Sequence, residues 1–146
     1  QHVTCRVRAD VQPEDVVVYI DGAFDLFHVG HVETLKKAKA LGTFLYVGIH
    51  DDRTVNQHKG RNYPIMNLHE RVLNVLSCRH VDEVVIGAPW DVTQDLLRVL
   101  NISLVASGSN LKIDSSYDDT PEDCYRLPKQ LGIFRTIETT SGISTS

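Results

Sequence analysis

Two histidines three residues apart, His28 and His31, lie in the segment Gly22-Ala23-Phe24-Asp25-Leu26-Phe27-His28-Val29-Gly30-His31, between a β-branched run and an amphipathic stretch. At the start of a helix this spacing sets both rings on one face. Helix starts also present N–H groups and a partial positive charge, so a phosphate placed there is stabilised. Gly22 and Gly30 permit close approach. Two imidazoles there can donate to phosphoryl oxygens as negative charge spreads over them and a leaving group. A phosphate nucleophile needs no strong base, so positioning and charge compensation carry most of such a reaction. Two other readings stay open. The rings can simply cap the helix and pack on Phe27, or they can hold zinc, for which no third ligand stands at a suitable spacing.

The elements that must position these residues alternate. Residues 16–20 form a continuous β-branched run ended by Asp21-Gly22, the mark of a strand buried on both faces. Val32, Leu35, Ala38 and Leu41 recur every three residues and predict a helix over 31–41, stopped by Gly42. Strands are predicted at 44–49, 83–86, 103–106 and 133–137. Capping boxes are predicted at Asn67 with Glu70 and at Asp91 with Gln94, each opening a helix. Thr120-Pro121 predicts a short helix interrupted at Pro128. Residues 51–66 read as a long polar loop carrying Arg53, His58, Lys59 and Arg61, a pattern often used as a lid. Residues 1–15 read as a linker or ordered tail, and 142–146 as a turn opening a helix that runs past Ser146. The expected architecture is α/β, a single Rossmann-like domain over residues 16–146 with a doubly wound parallel sheet. Ligands of such sheets lie beyond the carboxyl ends of the strands.

A net charge of -4 argues against a protein that coats nucleic acid. Cys5, Cys78 and Cys124 form neither a CxxC pair nor a disulfide framework, which fits a reducing, cytoplasmic setting. No apolar run approaches the roughly 20 residues of a membrane span. Peripheral membrane contact stays compatible with the composition.

The run GAFDLFHVGH resembles the first signature of the cytidylyltransferase family, and its HxGH element is shared with the wider group of HxGH nucleotidyltransferases. Lys59-Gly60, residues 64–67 with Glu70-Arg71, residues 78–85, Ala88-Pro89-Trp90 and residues 142–146 follow in the family's order. The phrases IDGAFDLFHVGHVE, YPIMNLHER and DEVVIGAPW resemble most the second of two tandem repeats in members that use phosphoethanolamine.

The resemblance implies cytidylyl transfer from CTP, accompanied by Mg²⁺, to phosphoethanolamine, with phosphocholine as an alternative substrate. It implies that His28, His31 and Lys59 act on the phosphates, and that the backbone of Gly22, Ala23 and Phe24 cradles the nucleotide. Arg71, which alone reads as half of a surface ion pair, would support the nucleotide site. Ser107, Gly108, Ser109 and Asn110 would read the cytosine edge, although the same residues also compose an ordinary turn. Gly142, Ile143, Ser144, Thr145 and Ser146 would form a second phosphate cradle, or a plain helix cap. Trp90 and Asp25 would meet the substrate, the indole through its face on an ammonium, unless it is core. No dedicated metal site is expected. The implied partner is a tandem domain of the same kind or a second copy of the chain.

Thr139-Thr140-Ser141 stands where the family usually has Arg-Thr-Glu, which removes a guanidinium fork from the phosphates. Ser107 and Ser109 stand where acidic residues are common. These departures support a second expectation, a repeat that binds CTP or CDP-ethanolamine and regulates an active partner. Adenylyl transfer ranks last.

Overall fold

The computed structural model describes residues 3–6, 14–60, 62–108 and 124–138, with the backbone alone for 3–6 and Lys59. Six strands form one sheet: β1 (Val3–Arg6), β2 (Val17–Gly22), β3 (Phe44–Ile49), β4 (Glu83–Ile86), β5 (Leu104–Gly108) and β6 (Phe134–Ile137), in the order β1-β4-β3-β2-β5-β6. Five strands are parallel, as the alternating pattern predicts, and β1 adds an antiparallel edge, Val3 opposite Ile86. Residues 3–6, within the segment read as a linker or ordered tail, form this edge strand.

The chain builds outward from β2 through β3 to β4, then returns to the other side of β2 for β5 and β6. The carboxyl ends of β2 and β5 therefore flank the point where the strand order reverses, which is where open α/β sheets bind ligands. Every residue of β2 and β3 is buried, because helices cover both faces. Val18 and Ile20 pack in one core with Leu35, Ala38, Val72 and Val75. Val17 and Tyr19, facing the other way, pack with Phe44, Val85, Leu96 and Tyr125.

The helices are α1 (Val29–Ala40), α2 (Asp52–Lys59), α3 (Leu68–Leu76), α4 (Gln94–Val99) and α5 (Arg126–Leu131). α3 starts as predicted: the Glu70 amide donates to Asn67 Oδ1 at 2.9 Å and the Asn67 amide to Glu70 Oε1 at 3.2 Å. α4 does not start at the predicted box. Thr93 is its cap, accepting from the Leu96 amide at 3.2 Å, which makes Gln94 the first helical residue and leaves Asp91 outside. α2 stands where a loop is expected: residues 52–59, read as loop from their polarity, are helical, with Asp51 Oδ1 accepting from the Thr54 amide at 2.8 Å. That bond lowers the Asp51 pKa from its ordinary value. Pro128 does not interrupt α5, since it sits at the helix's third residue, where its missing N–H has no partner to lose. Thr120-Pro121 lies outside the described residues. Among the described residues no helix is long and apolar enough to cross a membrane.

Gly48 in β3 is set by a close approach. A Cβ there would lie 2.2 Å from the Tyr19 hydroxyl and 2.9 Å from Ala88 Cβ. Gly48→Ala is expected to destabilise the fold by about 1–3 kcal/mol through overpacking, read as a lower urea midpoint. Adding Tyr19→Phe should recover part of the loss, because it removes a buried hydroxyl that has no hydrogen-bond partner among the described residues.

Candidate functional site

Between β2 and α1 the chain turns through Ala23 to His28, and two of these residues, Phe24 (φ 54°) and Leu26 (φ 51°), hold the left-handed conformation. Side chains other than glycine resist that region by about 1 kcal/mol or more each, so surrounding contacts must hold the turn. Phe24 is 1% exposed in the core beneath it. Asp25 accepts the Ile65 amide at 2.7 Å and the Met66 amide at 2.9 Å. Expected to meet substrate, Asp25 spends both carboxylate oxygens pinning the 64–66 segment to the turn.

His28 caps α1 with its own ring: the Gly30 amide donates to His28 Nδ1 at 3.0 Å. The His28 amide donates in turn to His31 Nδ1 at 3.1 Å. The His31 amide goes to the His28 carbonyl at 2.9 Å. Two helix-start amides thus serve the cap. Because each Nδ1 accepts, a neutral ring carries its proton on Nε2. The helix's positive end is passed through the imidazoles to Nε2–H donors, and chained hydrogen bonds polarise one another. The rings lie 4.2 Å apart. His28 is exposed, whereas His31 is 6% exposed and stacks on Phe27 at 5.3 Å. The capping and packing roles are therefore real.

Arg71 is fully buried rather than a surface ion pair. Its Nε donates to the Met66 carbonyl at 3.1 Å, Nη1 to the carbonyls of Ala23 and His50 at 2.8 Å each, and Nη2 to Asp52 Oδ1 at 2.6 Å. The guanidinium is committed to protein groups and acts on the site by holding the Ala23 turn, the end of β3 and the start of α2 together. Asp82 is likewise structural, accepting the Leu45 amide at 2.8 Å and Lys39 Nζ at 2.7 Å.

A second polar group lies at the same strand ends. Asp21, at the end of β2, is wholly buried and accepts from the Tyr125 hydroxyl at 2.8 Å. Burial, and then the Asp21 charge, push the Tyr125 pKa well above that of an ordinary phenol, so Tyr125 stays a donor. His50, just past β3, is also wholly buried; its Nδ1 lies 3.0 Å from the Ala88 carbonyl, which makes Nδ1 the donor, and its Nε2 lies 3.9 Å from Asp21 Oδ2. Trp90 tilts against His50 at 5.0 Å, and His58 of α2 stacks flat on Trp90 at 3.8 Å and 0°.

The structure thus brings Gly22, Ala23, Phe24, His28, His31, Ser107, Gly108 and Trp90 to the carboxyl ends of the strands, where they were expected. Lys59 ends α2, next to Gly60. Ser109, Asn110 and Gly142 to Ser146, with Thr139 to Ser141, lie outside the described residues. Asp21, His50 and Tyr125 were missed. Asp21 and Tyr125 are 104 positions apart, and neither sits in a chemical spacing motif. Their one local signal is a carboxylate ending an apolar strand. A separate cleft of about 520 Å³ lined mainly by Leu68, Val72, Leu73, Leu76 and Ile86 is apolar and contains neither His28 nor His31.

Comparison with known proteins supplies an independent view. Residues 19–146 match the family model described as cytidylyltransferase-like. The chain is 53% identical to ethanolamine-phosphate cytidylyltransferase of Dictyostelium discoideum over 91% of its own length and 36% of that protein's. It is 51% identical to the Arabidopsis thaliana protein of the same name, covering 92% of the chain and 32% of the relative. It is 41% identical to human choline-phosphate cytidylyltransferase A, covering 90% and 35%. The chain therefore spans about a third of the length of these relatives. Among solved structures, a lipopolysaccharide core biosynthesis protein from Thermoplasma volcanium superimposes with a TM-score of 0.63 at 23% identity, covering 87% of this chain and 98% of that one, a likeness of fold. With its HxGH turn at the strand-order reversal and a family match over most of its length, the chain belongs to the cytidylyltransferase-like family.

Proposed function

We propose that this chain transfers the cytidylyl group of CTP to phosphoethanolamine, releasing pyrophosphate and forming CDP-ethanolamine. The observation that carries the proposal is the imidazole cap at the start of α1, whose acceptor bonds at both Nδ1 atoms put the proton of a neutral ring on Nε2, which supports donation to a phosphate. The relatives support the choice of amino-alcohol, since the two ethanolamine-phosphate enzymes stand at 53% and 51% identity and the choline-phosphate enzyme at 41%.

In this reading a phosphate oxygen of phosphoethanolamine attacks the α-phosphorus of CTP in line. The new P–O bond forms as the bond to the bridging oxygen of the β-phosphate breaks, and pyrophosphate carries away the electron pair. Nε2–H groups of His28 and His31 donate to oxygens whose charge grows in the transition state. Gly22, Ala23 and Phe24 shape the nucleotide cradle, and Ser107 and Gly108 face the base across the strand-order reversal. Lys59, at the end of α2, brings a charge to the phosphates. The substrate ammonium is placed beside Trp90, beyond the end of β4. Mg²⁺ enters with CTP, held by the triphosphate; among the described residues no three His, Cys, Asp or Glu side chains are grouped to bind a metal. The tandem domain or second copy belongs to the same proposal, as does a cytoplasmic setting with peripheral membrane contact.

A second reading, a CTP-binding regulatory repeat, is favoured by Thr139-Thr140-Ser141 in place of the usual Arg-Thr-Glu. Incubation with radiolabelled CTP, phosphoethanolamine and Mg²⁺ separates the two. CDP-ethanolamine is the expected product; CTP binding by calorimetry with no product would leave only the regulatory reading.

A further inference from the structure

We propose that His58 is a specificity-determining residue, which by covering the face of Trp90 makes the head-group pocket reject a trimethylated ammonium in favour of a primary one. This rests on the reading above.

A quaternary ammonium has no N–H to donate, so proteins recognise it through aromatic faces. A primary ammonium has three N–H groups and can be held by a carboxylate. The structure offers these two modes unequally. The first needs an open indole, yet the His58 ring lies parallel to Trp90 at 3.8 Å, a van der Waals separation that admits no third group between them.

His58 is held in place by its helix. Asp52, the first residue of α2, is ion-paired to Arg71 at 2.6 Å, and Val55 is fully buried. At the other end Asn56 Nδ2 donates to the carbonyls of Gly60 and Tyr63, both at 3.0 Å. A helix fixed at both ends keeps the ring over Trp90, so the cover is part of the fold.

The test measures phosphoethanolamine and phosphocholine binding by calorimetry for the unaltered chain, His58→Ala and His58→Phe. Trp90 is the sole tryptophan, so its emission reports whether the stack is gone. His58 is exposed on its helix, and alanine favours helix there, so the variant keeps its fold. His58→Ala should raise affinity for phosphocholine relative to phosphoethanolamine by about tenfold. His58→Phe, which keeps a ring on the indole, should retain the original ratio. An unchanged ratio in His58→Ala, with altered Trp90 emission, overturns the inference and leaves the proposed function standing. If the unaltered chain binds neither compound, the functional reading fails and this inference fails with it.

Discussion

Replacing His28 and His31 together with alanine is expected to lower CDP-ethanolamine formation by about 10²-fold or more. Each ring accepts a backbone amide at Nδ1, so in the proposed reaction the substitution removes the Nε2–H donors that meet the developing phosphoryl charge. The same change deletes a helix cap, which costs about 1 kcal/mol. The two effects separate by measurement. Cap loss lowers the urea midpoint modestly, whereas donor loss lowers kcat in protein that is still folded. His28→Asn offers a further control, since asparagine is a good cap and lacks the imidazole. It should restore stability without restoring turnover.

Arg71→Ala is expected to cost about 3–5 kcal/mol, through the cavity left by a fully buried side chain and the loss of its hydrogen bonds to buried carbonyls. Against a typical domain stability of about 5–15 kcal/mol, that brings the fold close to unfolding. Four hydrogen bonds depend on this guanidinium, three of them to backbone carbonyls. Arg71→Lys keeps the charge but has no planar fork to span the Ala23, His50 and Met66 carbonyls together, so it should recover only part of the loss. Asp52→Asn should be far milder, because the Asp52 side chain is 49% exposed and water screens the pair at that end. Urea unfolding of the three variants checks the order Ala, then Lys, then Asn. An Arg71→Ala variant of near-native stability would contradict the buried-hub role.

Much of this was legible before any coordinates. Continuous β-branched runs such as 16–20 mark strands covered on both faces, and β2 and β3 are buried throughout. The HxGH turn follows the first parallel strand at the strand-order reversal, as the alternating pattern implied. The misses have physical causes. α2 lacks an apolar stripe beyond Val55, so residues 52–59 read as loop, although Asp51 followed three residues later by Thr54 is the cap that starts them. Thr93 outcompeted Asp91 as a cap because caps are chosen by local backbone conformation, which a spacing rule does not contain. Arg71 beside Glu70 looks like surface charge; its acceptors are backbone carbonyls from residues 23, 50 and 66, which side-chain patterns do not reveal. Asp25 showed the reverse error, a carboxylate in a signature that proves to hold the backbone of residues 65 and 66. Asp21 and Tyr125 meet only through the sheet's topology, and the one local signal, a carboxylate ending an apolar strand, does not reveal its partner.

The central claim is that the imidazole cap of α1 receives the triphosphate. A crystal structure of the chain with CTP and Mg²⁺ tests it directly. Phosphate oxygens should lie within about 3 Å of His28 Nε2, with the cytosine toward the end of β5. Nucleotide bound elsewhere, or a His28 ring turned so that Nδ1 rather than Nε2 faces the phosphates, would contradict the account.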